Sequence, residues 1–256
     1  MVKGGLTGPL PKAPTMRSLL LVSDLTPETF EQARGSGADA LVLDMGEGSA
    51  SLTTQHELIG RLLPALQEDE NRPLIYIRLG PIDADTIDAD LMVLMRSEPD
   101  GFVLRDCRSG MDVQQLAAKL AVHEAEYDLA DGQTAVIAEA GTSAGSLFSM
   151  GSYRGASARL LGLAWDAGAL AQDLGAEMIR EADGRLIHPL ALARSLTLIG
   201  ARAADVAAID GVGDGGADAG AFRAACEEAR RDGFNAKIAM TPEEVQIIND
   251  VFDRDV

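Results

Sequence analysis

AVIAEAGTSAGSLFSMGSYRGASARLLGLAWDAGALAQDLG, residues 135–175, is the stretch that decides the fold. Ala135-Val136-Ile137-Ala138 is a short apolar run with a glycine, Gly141, shortly after it. This is the pattern of a strand buried on both faces in a parallel sheet. Leu160-Leu161-Gly162-Leu163-Ala164-Trp165 repeats it. A short helix and a Gly151-Ser152-Tyr153 turn lie between the two, and another helix starts after the second. Polar loops that follow such strands are where α/β proteins keep their chemistry, because the strands' carboxyl ends are open to ligands.

The same alternation runs outward in both directions. Upstream, the apolar runs Ser18–Val22, Ala40–Asp44, Leu74–Leu79 and Gly101–Leu104 read as strands. Thr26-Pro27-Glu28 starts a helix with an N-cap, a proline in the first turn and an acid near the positive end of the dipole. Further helices are expected at about 51–66 and 88–95, and after Ser109, where Val113, Leu116, Ala117 and Leu120 recur at helical spacing. Downstream, a helix over about 186–203 carries Leu186, Leu190, Leu192, Leu196 and Ile199 toward one face. Strands at Val206–Asp210 and Ala236–Met240 follow, around a helix at 220–231, and a last helix starts near Pro242. Eight strands separated by helices fit a single-domain (β/α)8 TIM barrel over residues 17–256; an open doubly wound sheet is the competitor. Residues 1–16, with Gly and Pro and no periodicity, read as a poorly ordered arm.

The composition narrows the function classes. The net charge of −18 over 256 residues repels nucleic acid and anionic membrane. No apolar run approaches the length of a membrane span, and no charged start precedes one. Two cysteines, Cys107 and Cys226, suggest neither a disulfide framework nor a metal spacing. The expectation is a cytoplasmic, reduced setting.

Several runs together resemble the citrate lyase beta-subunit-like family of citryl- and malyl-coenzyme A lyases, within the HpcH/HpaI aldolase superfamily. They are Arg17–Val22, Ser36–Asp44, Tyr76-Ile77-Arg78-Leu79, Gly151-Ser152-Tyr153, Leu163-Ala164-Trp165, Gln172–Gly175, Ala193–Leu196, Ile209-Asp210 and Ala229–Lys237. The resemblance implies Mg²⁺ held by a Glu after strand five and an Asp after strand six, chelating a keto or hydroxy acid and stabilising an enolate. It also implies a substrate-binding Arg at the end of strand three, a coenzyme A thioester as substrate, and a homo-oligomer, often a trimer.

Carried over by position, the family's substrate Arg is Arg78 and its first strand-two acid is Asp44, with Gly46 and Glu47 where a Glu and an Asp are usual. Arg78, Asp44 and Glu47 are therefore the candidate substrate-binding residues. Arg105-Asp106 replaces a Pro-Lys pair, and Met240-Thr241-Pro242 replaces Ile-His-Pro. The metal ligands fall on Thr142 and Ala169, which cannot serve as carboxylates. Glu139 and Asp166, each three residues earlier, are the candidate stand-ins for Mg²⁺. The plainer reading puts Glu139 between strand and helix and makes Asp166 a helix cap. Arg78 has a plainer reading too, an ion pair with Asp44 or Glu47.

Other signals carry less. Gly211-Val212-Gly213-Asp214-Gly215-Gly216 satisfies a dinucleotide-loop spacing, but its acids would repel a pyrophosphate. His56, His123 and His188 sit in expected helices without nucleophile partners. Cys107 reads as a small buried apolar residue. Two hypotheses remain: a lyase or aldolase for a small acid or its thioester, and a catalytically degenerate protein that binds a carboxylate or acyl ligand.

Overall fold

The computed structural model describes residues 16–45, 52–66, 69, 71–211 and 218–253. Eight parallel strands close into a barrel in sequence order: β1 (Ser18–Val22), β2 (Ala40–Asp44), β3 (Leu74–Leu79), β4 (Gly101–Leu104), β5 (Ala135–Gly141), β6 (Leu160–Trp165), β7 (Ala207–Asp210) and β8 (Ala236–Ala239). Closure rests on β1 pairing with β8, Leu19 opposite Ile238, and it excludes the open sheet. Around it stand α1 (Pro27–Arg34), α2 (Leu52–Leu62), α3 (Ile87–Leu94), α4 (Gly110–Glu126), α5 (Ala144–Leu147), α6 (Ala167–Leu174), α7 (His188–Ala204), α8 (Ala219–Asp232) and α9 (Pro242–Phe252).

Strand alternation sorts the apolar residues into two cores. Leu19, Val42, Tyr76, Val103, Ile137, Ala164, Ile209 and Ile238 fill the barrel, and Met16, the last residue of the expected arm, packs with them. Residues 1–15 of that arm lie outside the described residues. The alternate residues, among them Leu41, Leu43, Ile75, Ile77, Phe102, Leu104 and Val136, pack outward against the helices. Tyr76 takes so much of the interior that Gly101 has to be glycine: a Cβ there would lie 2.6 Å from the ring.

Two helices differ from their expected form. The segment expected as one helix over 51–66 ends as α2 at Leu62 and tightens into a 3₁₀ turn at Pro64–Leu66, because Pro64 has no N–H to continue the ladder. On α7 the buried face is Leu190, Ala193, Thr197, Gly200 and Ala201, while Leu192 and Ile199 are exposed. The helix lies close to the barrel, and small side chains make the contact. Gly200 meets Met150, where a Cβ would come within 3.1 Å.

Candidate functional site

Inward parity continues past the barrel core to the carboxyl ends of the strands. There it presents Asp44 from β2, Arg78 from β3, Arg105 just after β4 and Glu139 from β5. Their inward-facing predecessors on the same strands, Val42, Tyr76, Val103 and Ile137, lie in the barrel core. The β5–β6 register shifts between Glu139 and Gly141. Bulges of this kind commonly re-aim a side chain beside a site.

These side chains form one ion cluster. Arg78 Nε donates to Glu139 Oε1 at 2.7 Å and Nη2 donates to Oε2 at 2.8 Å, a bidentate pair. Nη1 donates to Asp44 Oδ2 at 2.8 Å. Asp166 Oδ2 stands 3.8 Å from Nη2, while its Oδ1 caps α6 by accepting from the Ala169 N–H at 3.0 Å. Asp166 therefore does cap the following helix. Glu139, by contrast, points into the barrel rather than between strand and helix.

Burial is the largest influence on Glu139 and pushes its carboxyl up; Arg78 pulls against it, Asp166 adds to it, and Arg105 lowers it. Burial alone would lower the Arg78 pKa, but Glu139 and Asp44 together raise it, so the guanidinium stays charged.

The two carboxylates expected to hold Mg²⁺ do converge, and a guanidinium nitrogen occupies their meeting point. Both Glu139 oxygens accept from Arg78, and one Asp166 oxygen accepts from the α6 backbone. As placed, this donor set does not fit a divalent ion. Among the described residues there is no grouping of three or more His, Cys, Asp or Glu suited to a metal. Glu47 and Gly46, and residues 212–217 of the glycine-rich loop, lie outside the described residues.

Next to the cluster is a polar cavity of about 510 Å³. Its lining includes Arg105, Thr142, Ser143, Ala169, Gln172 and Asp173 but none of Asp44, Arg78, Glu139 or Asp166. The positions where the resemblance places metal ligands, 142 and 169, thus share one cavity. Arg105 belongs to both regions, lining the cavity and acting electrostatically on Glu139. The sequence singled it out only as a departure from Pro-Lys. Its parity with Val103 was the signal that it faces inward.

Other singled-out residues are framework. Tyr153 donates to the Cys107 carbonyl at 2.9 Å, and Ser152 Oγ accepts from the Gly110 N–H at 2.9 Å, so the Gly-Ser-Tyr turn latches the loop after β4. Burial pushes the Cys107 thiol up to about 12, which leaves it a poor nucleophile. Thr241 caps α9 through the Glu244 N–H. His56 lies 3.1 Å from Asp90, off the hydrogen-bonding direction, and His123 pairs with Glu126 on α4.

The profile of the HpcH/HpaI aldolase/citrate lyase family matches residues 17–242. The chain is 27% identical over 243 residues to a (3S)-malyl-CoA thioesterase of Cereibacter sphaeroides, covering 94% of this chain and 78% of that one. It is 24% identical over 237 residues to citrate lyase subunit beta of Leuconostoc mesenteroides subsp. cremoris, covering 92% and 76%. Among solved structures, CitE from Mycobacterium tuberculosis in complex with magnesium, acetoacetate and coenzyme A superposes with a TM-score of 0.74 at 19% identity, over 93% of this chain and 80% of that one. RipC from Yersinia pestis superposes with a TM-score of 0.70 at 22% identity, over 94% and 96%. At these identities the structural likeness shows the barrel fold alone.

Proposed function

Since the chain belongs to the HpcH/HpaI aldolase/citrate lyase family, we propose that it acts at its barrel mouth on a small keto or hydroxy acid or the coenzyme A thioester of one. In this reading it is a carbon–carbon lyase or thioesterase whose chemistry does not use Mg²⁺ held by Glu139 and Asp166. The observation that carries the reading is the ion cluster itself, in which Arg78 takes both oxygens of Glu139. To stabilise a developing enolate or oxyanion, Arg78 has to exchange Asp44 or Glu139 for the substrate's oxygen, since all three of its nitrogens already donate to them. The name of one sequence relative, a (3S)-malyl-CoA thioesterase, supports a coenzyme A thioester as substrate. A cytoplasmic homo-oligomer, a trimer being the form the resemblance implies most often, completes the reading.

A second reading has its own support. The replacement of carboxylates by Thr142 and Ala169 favours a protein that binds an acid or acyl ligand without turning it over. One experiment separates the two. Malyl-CoA and citryl-CoA are incubated with the protein in excess EDTA and again in Mg²⁺, while free thiol and released keto acid are followed. Turnover that EDTA leaves unchanged is the expected result. Turnover that appears only with Mg²⁺ overturns the metal-independent reading. Binding without turnover in either condition establishes the second.

A further inference from the structure

We infer that the outer face of α7, with the end of α5 beside it, is where two copies of this chain pack together, α7 against α7 across a two-fold axis. The inference deepens the homo-oligomer part of the reading above by naming the face, and it uses no part of the proposed chemistry.

Exposure leads to it. Leu192 and Ile199 are 60% and 61% exposed, and half-buried Leu196 lies between them. Intervals of four and three residues put the three along one stripe of the helix. Leu147 packs with Leu190 and Ala193 of α7, and Met150 lies against Gly200, so the segment 147–150 runs beside the helix. Phe148, within that segment, is 94% exposed. Scattered apolar residues are normal on a surface, but an apolar stripe with an unpacked phenylalanine on the adjoining segment has the character of a contact surface.

Charge selects the occupant. The chain carries 40 Asp and Glu and a net charge of −18, so two copies repel each other over most of their surface. Among the described helices of eight or more residues, α7 is the one with no Asp or Glu. Residues 144–153 hold no charged side chain at all. A second copy that presents the same face sets apolar groups on apolar groups and no acid against an acid. A two-fold axis achieves this with one surface, because the patch is then its own complement. Ser195, exposed near the middle of α7, is small enough for two helices to approach closely there. A single helix face with one neighbouring segment belongs to the lower end of specific interfaces, so the pairing is expected to depend on concentration. It gives even numbers of copies: two, or six where trimers pair.

The test is sedimentation equilibrium of the full-length protein over concentrations spanning the micromolar range. The wild type should double in mass as concentration rises. Leu192→Glu combined with Ile199→Glu should weaken the pairing about a hundredfold or more, because it brings like charges together across the contact. Melting temperatures of the dilute variants should stay at the wild-type value, since both side chains stand in solvent in a single copy. Added salt should strengthen wild-type pairing by screening the repulsion between two chains of −18. Ser195→Cys should cross-link to its own copy under mild oxidation, the native Cys107 and Cys226 being buried. Pairing that salt weakens, or a Ser195→Cys protein that does not cross-link, overturns the two-fold contact. An assembly whose mass the two glutamates leave unchanged overturns the inference and leaves a homo-oligomer standing. A wild type that is monomeric at every concentration overturns both, and leaves the face to a different protein.

Discussion

Two of the buried ion clusters among the described residues, one inside the strands and one outside, are built on opposite plans. Outside, between β7, β8 and α7, a single acid has several donors. Asp210 accepts from Lys237 at 2.9 Å, from Arg194 at 3.0 Å and from Trp165 Nε1 at 2.9 Å. Inside, at the mouth, a single cation has three acids: Arg78 with Glu139, Asp44 and Asp166. Burial acts against both central carboxyls. Lys237 and Arg194 overcome it for Asp210, whose pKa is lowered, but Arg78 does not overcome it for Glu139, whose pKa is raised. The outer cluster is a satisfied structural joint. The inner one holds a carboxyl under electrostatic tension where the barrel opens, as groups with a chemical task commonly are.

The largest effect expected from this contrast is at the joint. Lys237→Met removes a counter-ion from a buried acid and should cost about 3–5 kcal/mol in urea unfolding, the usual consequence of breaking a buried pair from one side. Ligand affinity per folded molecule should not change. A loss under about 1 kcal/mol would mean that Arg194 and Trp165 suffice to hold Asp210, and that the joint is weaker than its geometry suggests.

The mouth should answer the corresponding change in another way. Arg78→Ala leaves Asp44, Glu139 and Asp166 without their shared cation, and the point they surround becomes available to Mg²⁺. The variant should be less stable than the wild type without metal and should gain melting temperature as Mg²⁺ is added. The gain should correspond to about 2.7 kcal/mol when the ion is at a hundredfold excess over its dissociation constant. Wild-type protein should show no such gain. Equal Mg²⁺ responses in the two would show that the guanidinium does not stand in the metal's place.

Acid sharpens the comparison further. The folded-state pKa of Asp210 lies below its unfolded value, so its stabilisation is present above the ordinary carboxylate range and is lost as pH falls through that range. Glu139 has the opposite sign: its folded-state pKa lies above the unfolded one, so its contribution is present at low pH and is lost as pH rises through the raised value. Stability measured from pH 6 down to pH 3 should therefore fall, with a slope of up to about 1.4 kcal/mol per pH unit for each group of the Asp210 kind. In Lys237→Met the slope should flatten. In Glu139→Gln it should steepen, because the one group that opposes it is gone.

How much of this was legible in the sequence depends on which side of a strand a residue lies. Apolar runs ending in polar residues located all eight strands, and strand parity, which the sequence reading did not use, puts Asp44, Arg78 and Glu139 on one wall. An ion pair of Arg78 with Asp44 or Glu47 was one of two readings of that arginine, beside a substrate-binding role, and the structure shows the Asp44 pair. The bidentate claim of Glu139 on Arg78 was not foreseen, since the two lie sixty-one residues apart and meet only across the barrel interior. Aligning from the flanking motifs led instead to Thr142 and Ala169, which line the neighbouring cavity. The outer joint was present in the sequence only as fragments of resemblance: Trp165, Arg194, Asp210 and Lys237 are scattered over seventy-odd residues and meet only when β6, β7 and β8 lie side by side.

The same joint explains why two leucine-face residues expected to point inward on α7 do not, although Leu190 is buried there. Leucines at helical spacing suggested that Leu192 and Ile199 point inward, yet both are more than half exposed. A helix that must bring Arg194 to within 3.0 Å of an acid on a strand cannot stand off on bulky side chains. It comes down on Ala193, Thr197 and Gly200 instead, with Thr197 Oγ1 satisfied by the Ala193 carbonyl at 3.0 Å. Leu192→Ser should then change stability by no more than about 0.5 kcal/mol, as surface substitutions generally do. Its acid-unfolding slope should match that of the wild type. Ala193→Leu should be the costly change at the neighbouring position, by about 1–3 kcal/mol for overpacking, and it should flatten the acid slope as Lys237→Met does, because it lifts Arg194 away from Asp210. If Leu192→Ser proves the more damaging of the two, hydrophobic contact holds α7 in place, and the outer ion cluster follows the packing rather than setting it.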